Sequence, residues 1–146
     1  MRLLELRGLP VAVLIDFVHK HGGILGPAHP CGGKYLSFTN TKRYYKSPEL
    51  FKRFDFIEVF NACESAESNA RALKLAQKYK KPGIGGSDAH RPNCVGMGYT
   101  ILPERVTCET ELIALIRSKS AVIETGGSLY GKTTKDKIGK GWMKDS

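Results

Sequence analysis

The chain has no apolar run long enough to span a membrane, no secretory-type leader and no Cys-x-x-Cys frame among its four cysteines. On that pattern neither a membrane-spanning nor an exported protein is expected. They leave Cys31, Cys63, Cys94 and Cys108 as free thiols of a reducing cytoplasm. Acidic residues are scarce, with 14 Asp and Glu against 23 Lys and Arg. The resulting charge of +9 and pI near 9.5 suit an anionic partner such as a phosphorylated small molecule or an oligonucleotide. A solvated basic surface explains the same numbers. Part of the excess is not local to any site: residues 126–146 hold five Lys against two Asp, or +3 of the +9. No membrane partner and no internal repeat is expected, and 146 residues suffice for one small domain.

Hydrophobic spacing lays out alternating helices and strands. Val11, Leu14, Ile15 and Val18 recur at helical intervals after Pro10, and Gly22-Gly23 ends the run. Ile24–Ala28 reads as a short buried strand. Ser47-Pro48 opens a short helix to about Arg53, and Phe56–Phe60 reads as the next strand. The clearest helix covers 66–80, with Ala72, Leu75, Ala76 and Tyr79 on one side and Arg71, Lys74 and Lys78 on the wet side. Pro82 stops it, and Gly83–Gly85 begins a strand. Further strands near Tyr99–Leu102 and at Ala121–Ile123 flank a helix over 109–118. This alternation predicts an α/β fold of mostly parallel strands with crossover helices. The partition expected is a domain at 1–125 and a flexible Gly/Lys-rich tail at 126–146.

The chemistry concentrates in Gly85-Gly86-Ser87-Asp88-Ala89-His90. A glycine turn at a strand end releases an Asp and a His two positions apart, and i and i+2 on a strand share a side. Asp88 and His90 can therefore reach one metal ion. His29, in Gly26-Pro27-Ala28-His29-Pro30, ends the earlier apolar run in the same way. Ligands of α/β folds gather at the carboxyl ends of strands, where all three fall. Cys31 and Cys94 lie within four residues of His29 and His90, so a softer ligand set is open as well.

Ala28-His29-Pro30, Phe56-Ile57-Glu58-Val59-Phe60-Asn61, Asn69-Ala70, Gly86-Ser87-Asp88-Ala89-His90 and Val95-Gly96 resemble, in that order, the PHP family. This is the polymerase and histidinol phosphatase superfamily of metal-dependent phosphoesterases. The resemblance runs from about residue 10 to 125. It implies the C-terminal part of a distorted (β/α)7 barrel, with divalent ions (zinc, manganese or iron) clustered at the carboxyl-end mouth. On that reading His29, Asp88 and His90 are metal ligands, Asp88 and His90 serve catalysis, and Glu58 and Asn61 mark a strand end without ligating. The family's opening His-x-His and its middle ligands lie upstream of a segment like this one. The chain is therefore expected to be a truncated frame, a fragment or one piece of a split protein, completed by an N-terminal segment or a second copy. The implied reaction is phosphoester hydrolysis, with only part of the metal site present. The competing reading is a non-catalytic remnant or binding module for an anionic partner.

Each candidate also has a plain structural reading. His29 suits a backbone-bonded strand-end histidine, and Asp88 suits a turn or helix cap. His19 and His21 suit a helix C-terminus. Arg91 suits either a substrate phosphate or the surface. Lys42-Arg43-Tyr44-Tyr45-Lys46 mixes cations and aromatics as a single-stranded nucleic-acid surface does, or as a loop after a strand does.

Overall fold

The helical spacing at the start of the chain becomes α1, Val11–Lys20, with Ile15 fully buried and Gly22 in the left-handed region just past its end. These features belong to a computed structural model that describes residues 6, 8–33, 37–118 and 124–130. Lys42–Lys46 forms a short helix, α2, where a loop was expected. The reason is packing: the Tyr44 ring meets Phe38 and Phe51 edge-on at 6.4 and 5.7 Å, so alternate residues of the stretch are not all free to face solvent. Tyr45 is exposed. A 3-10 segment, Pro48–Arg53, follows.

Strand β1, Ile57–Asn61, pairs in parallel with β2, Gly83–Gly86, and α3, Ala66–Tyr79, is the crossover between them. Ser65 caps α3 by accepting from Ser68 N at 3.1 Å, and Lys80 ends it at φ +52°, immediately before Pro82 can block continuation. Ile24–Ala28 is not a regular strand, but it lies parallel along the other edge of β1. Asp55 N donates to Leu25 O at 2.9 Å, and Glu58 N to Pro27 O at 3.4 Å. Asp55 secures this edge: its carboxylate takes the Leu25 amide at 3.0 Å and the His19 ring at 2.8 Å, with Arg117 at 3.8 Å. His19 thus has the structural role that its helix-end position suggests.

Strands β3, Gly98–Ile101, and β4, Glu124–Gly127, pair antiparallel around α4, Glu109–Ser118. The parallel arrangement therefore stops at β2. Only eleven residues separate β2 from β3, and they carry a 3-10 turn but no α-helix, too little for the crossover that a parallel return needs. The chain doubles straight back, with Gly98 against the Gly86 carbonyl and the Thr100 hydroxyl donating to Gly85 O at 2.8 Å. The predicted strand at Ala121–Ile123 lies outside the described residues. β4 begins just after it and takes in Gly126 and Gly127 from the expected tail, and Leu129 is buried against Phe60 and Ala62. The packed region thus reaches Tyr130; residues 131–146 lie outside the described part.

The larger core joins Ile15, Phe51, Phe54, Ile57, Val59 and Ala76, with the Phe51 and Tyr79 rings stacked at 5.3 Å. Mixed helix and strand with a small parallel sheet is compatible with an α/β fold. Among the described residues no helix is long and apolar enough to cross a membrane.

Candidate functional site

The carboxyl end of β1 is a hydrogen-bonded floor. Its register slips by one residue between Glu58 and Phe60, a bulge that brings Glu58 and Asn61, three apart, within bonding distance. Asn61 Nδ2 donates to Glu58 Oε2 at 3.0 Å, and the same oxygen accepts the His29 amide at 2.5 Å. Asn61 Oδ1 accepts from Cys63 N at 2.9 Å, turning the chain over the strand end. From α3, the Asn69 side chain accepts from Asn61 N at 3.0 Å and donates to Asn61 O at 3.1 Å. Glu58 and Asn61 therefore hold main chain.

His29 stands to one side of β1, in the left-handed region at φ +30°. Its Nδ1 lies 3.4 Å from Ser37 Oγ. The loop that follows is tied down: Thr39 N and Oγ1 reach Pro30 O at 3.0 and 2.8 Å, Asn40 Nδ2 reaches Gly32 O at 2.8 Å, and Arg71 Nη2 reaches Cys31 O at 2.7 Å. Arg71 is exposed, as its place on the wet side of the helix implies, and it also bridges α3 to this loop.

Asp88 and His90 stand on the opposite side of β1, beyond β2. The strand ends at Gly86, so strand alternation does not make the two side chains neighbours. A turn does. Asp88 adopts φ +48°, and His90 Nδ1 folds back to within 2.8 Å of the Asp88 carbonyl. A carbonyl only accepts, so Nδ1 carries the proton and the neutral ring keeps its lone pair on Nε2. The same nitrogen lies 3.9 Å from Asp88 Oδ1, and His90 is largely exposed, at 73% of its side chain. The cap reading of Asp88 finds no counterpart in the next helical turn, Pro92–Cys94, which has Arg91 at its N-cap and no side-chain cap. Arg91 itself is exposed and reaches the Tyr130 hydroxyl at 3.3 Å.

The structure thus brings Asp88 and His90 together in one turn, and sets His29 at the other edge of β1, past the end of the Ile24–Ala28 segment. Among the described residues no group of three or more His, Cys, Asp and Glu side chains gathers closely enough to hold a metal ion. Cys31 and Cys94 are both buried, and burial pushes the Cys31 thiol above its ordinary pKa, away from the thiolate a soft metal needs.

Three residues were not legible beforehand. Cys63 Sγ sits 3.4 Å from Asp88 O and 3.5 Å from Ser87 O, linking the end of β1 to the Asp88 turn. Ser37 and Glu64 are both buried beside His29's loop. For Cys63, an Asn two positions earlier and the glycine turn of the facing strand were the usable signals. For Ser37 and Glu64 nothing in their spacing was.

Residues 66–121 match the family model described as PHP-associated. An uncharacterised protein of Methanocaldococcus jannaschii is 33% identical over 86 residues, which cover 58% of this chain and 36% of that protein. The chain thus spans about a third of the length of the curated relative it matches. No solved structure gives a significant match.

Proposed function

From a chain whose residues 66–121 carry the PHP-associated region of the PHP superfamily, we propose that it contributes the Asp88/His90 side, together with His29, of a divalent-metal site for phosphoester hydrolysis. The observation that carries this reading is the Asp88–His90 turn beyond the carboxyl end of β2, in which His90 Nδ1 lies 3.9 Å from Asp88 Oδ1 and the His90 side chain is largely exposed. The donors suit the chemistry: imidazole and carboxylate are ligands for zinc, manganese or iron. As they stand the three donors do not converge on one ion, since Asp88 lies beside His90 Nδ1 and His29 lies across β1, so they are read as part of a site that further donors complete. When bound, such an ion supplies Lewis acidity and a water of lowered pKa.

The chain's own residues have definable tasks. Asp88 and His90 present one oxygen and one nitrogen from a turn held by the Cys63 thiol, and the floor of Glu58 and Asn61 holds the His29 main chain on the facing side. Arg91, with the Tyr130 hydroxyl beside it, orients a phosphate through charge-assisted hydrogen bonds. The positive balance of the chain raises the local concentration of such an anion. We place the parallel array of Ile24–Ala28, β1 and β2 in the C-terminal part of a distorted barrel of seven strand–helix units. A segment bearing His-x-His, or a second copy of the chain, would supply the missing donors.

The test is turnover of an aryl phosphate monoester and a diester with manganese or zinc, by the chain alone and with a His-x-His segment added. The reading expects little turnover alone, an increase on complementation, and loss of that increase in Asp88→Ala. No increase with any complementing segment would overturn it. A second reading, a non-catalytic binding module, is favoured by the net charge of +9 and by the absence, among the described residues, of a gathered metal-ligand group. It expects salt-dependent binding of an anionic partner that Asp88→Ala leaves unchanged.

A further inference from the structure

Glu64 is only 6% exposed, and its Oε1 is buried without a hydrogen-bond partner among the described residues. A buried carboxylate oxygen left so is costly unless a nearby donor turns to it. The space it occupies is shared. A Cβ placed on Gly32 would overlap Glu64 Oε1 and stand 2.6 Å from Ser37 Oγ. The two oxygens therefore crowd the same point above a glycine, within reach of each other directly or through one water. Ser37 is wholly buried, and its Oγ lies 3.4 Å from His29 Nδ1. The neighbouring guanidinium of Arg71 is turned to the Cys31 carbonyl and the Ser68 hydroxyl instead.

We propose that Ser37 and Glu64 are a positioning pair for the His29 ring, an inference whose metal arm rests on the reading of His29 as a ligand. An ionised carboxylate only accepts, so the Ser37 hydroxyl proton is directed to Glu64. That leaves the Ser37 oxygen as an acceptor for His29 Nδ1–H. The ring is then fixed as the Nδ1–H tautomer, with its lone pair on Nε2. Histidines that bind metals usually have their second nitrogen held in this way by a carboxylate, a carbonyl or water. His29 is thereby gripped twice: its main chain by Glu58 Oε2 at 2.5 Å, and its ring through Ser37 by Glu64. Its left-handed backbone, at φ +30°, is a conformation that needs such restraint.

The experiment is two-bond 1H–15N NMR of the imidazole rings of the full chain, first without added metal, in wild type, Ser37→Ala and Glu64→Gln. The His29 signals are assigned by loss in His29→Asn. Wild type should show His29 protonated at Nδ1. Glu64→Gln lets the amide donate to Ser37, turns the hydroxyl proton toward His29, and should shift the ring toward the Nε2–H form. Ser37→Ala should give a mixture, and it carries the test if Glu64→Gln does not fold. Manganese titration should then show both variants weakened by about 10- to 100-fold. An unchanged His29 tautomer in folded Ser37→Ala, or in folded Glu64→Gln, overturns the positioning pair. If the tautomer shifts as stated but wild type binds no manganese, the pair stands and the ligand reading of His29 fails.

Discussion

Asn69 is the most informative residue to remove, because its side chain satisfies both main-chain groups of Asn61, a residue only 1% exposed at the floor of the site. Asn69→Ala deletes an acceptor 3.0 Å from Asn61 N and a donor 3.1 Å from Asn61 O in one step. Each main-chain group left buried and unmet costs about 1–3 kcal/mol. Water entering the vacated volume lowers the sum, so about 3 kcal/mol is the working figure. For a chain of this size each kcal/mol moves Tm by about 2–4 °C, which makes the expected drop about 6–12 °C. Urea unfolding followed by circular dichroism would measure it. Asn69→Asp sharpens the test: it keeps the acceptor but sets a second acceptor against the Asn61 carbonyl. Its deficit should match that of Ala near neutral pH. It should shrink as pH falls, because the protonated carboxyl regains a donor and the folded state holds that proton more tightly than the unfolded chain does. A loss under about 0.5 kcal/mol for Asn69→Ala would refute the reasoning, since it would mean that Asn61 needs no partner.

Other expectations follow from the packing. Gly98→Ala drives a methyl into the Gly86 carbonyl and should destabilise by about 1–3 kcal/mol in denaturant unfolding; wild-type stability would show that β2 and β3 do not approach so closely. Leu129→Ala removes a side chain buried against Phe60 and Ala62 and should cost about 2–4 kcal/mol, whereas a neutral result would return residues 126–130 to a loose tail. In an iodoacetamide time course read by mass spectrometry at neutral pH, exposed Cys108 should label first. Buried Cys31, its thiol pKa raised by desolvation, should label only on unfolding, and early labelling of Cys31 would contradict its burial.

Much of the fold could be read where periodicity and punctuation agree. Pro82 closes α3 because a missing amide acts locally, and Ala72 and Ala76 face the core as their spacing requires. The direction of β3 was not legible, because it depends on how short the return from β2 is in space. Lys42–Lys46 misled in its own way, since Tyr44 is claimed by the Phe51 core through contacts six and seven residues away that no spacing rule encodes. At the site, His29, Asp88 and His90 stood out by residue type and by the glycine turn. Their support did not: the Asp88–His90 pairing is made by a positive φ at Asp88, not by strand alternation. Glu64 is recognisable only once its buried oxygen is found without a partner.

The central claim is that Asp88 and His90, with His29 across β1, contribute donors to a divalent-ion site. Calorimetric titration of the full chain with manganese and with zinc tests it most directly, comparing wild type with Asp88→Ala, His90→Ala and His29→Ala, each checked for an unchanged melting temperature. One ion should bind per chain, with affinity lost in Asp88→Ala and His90→Ala and reduced in His29→Ala. Binding that survives Asp88→Ala and His90→Ala together would contradict the claim, as would a folded wild-type chain that takes up neither metal.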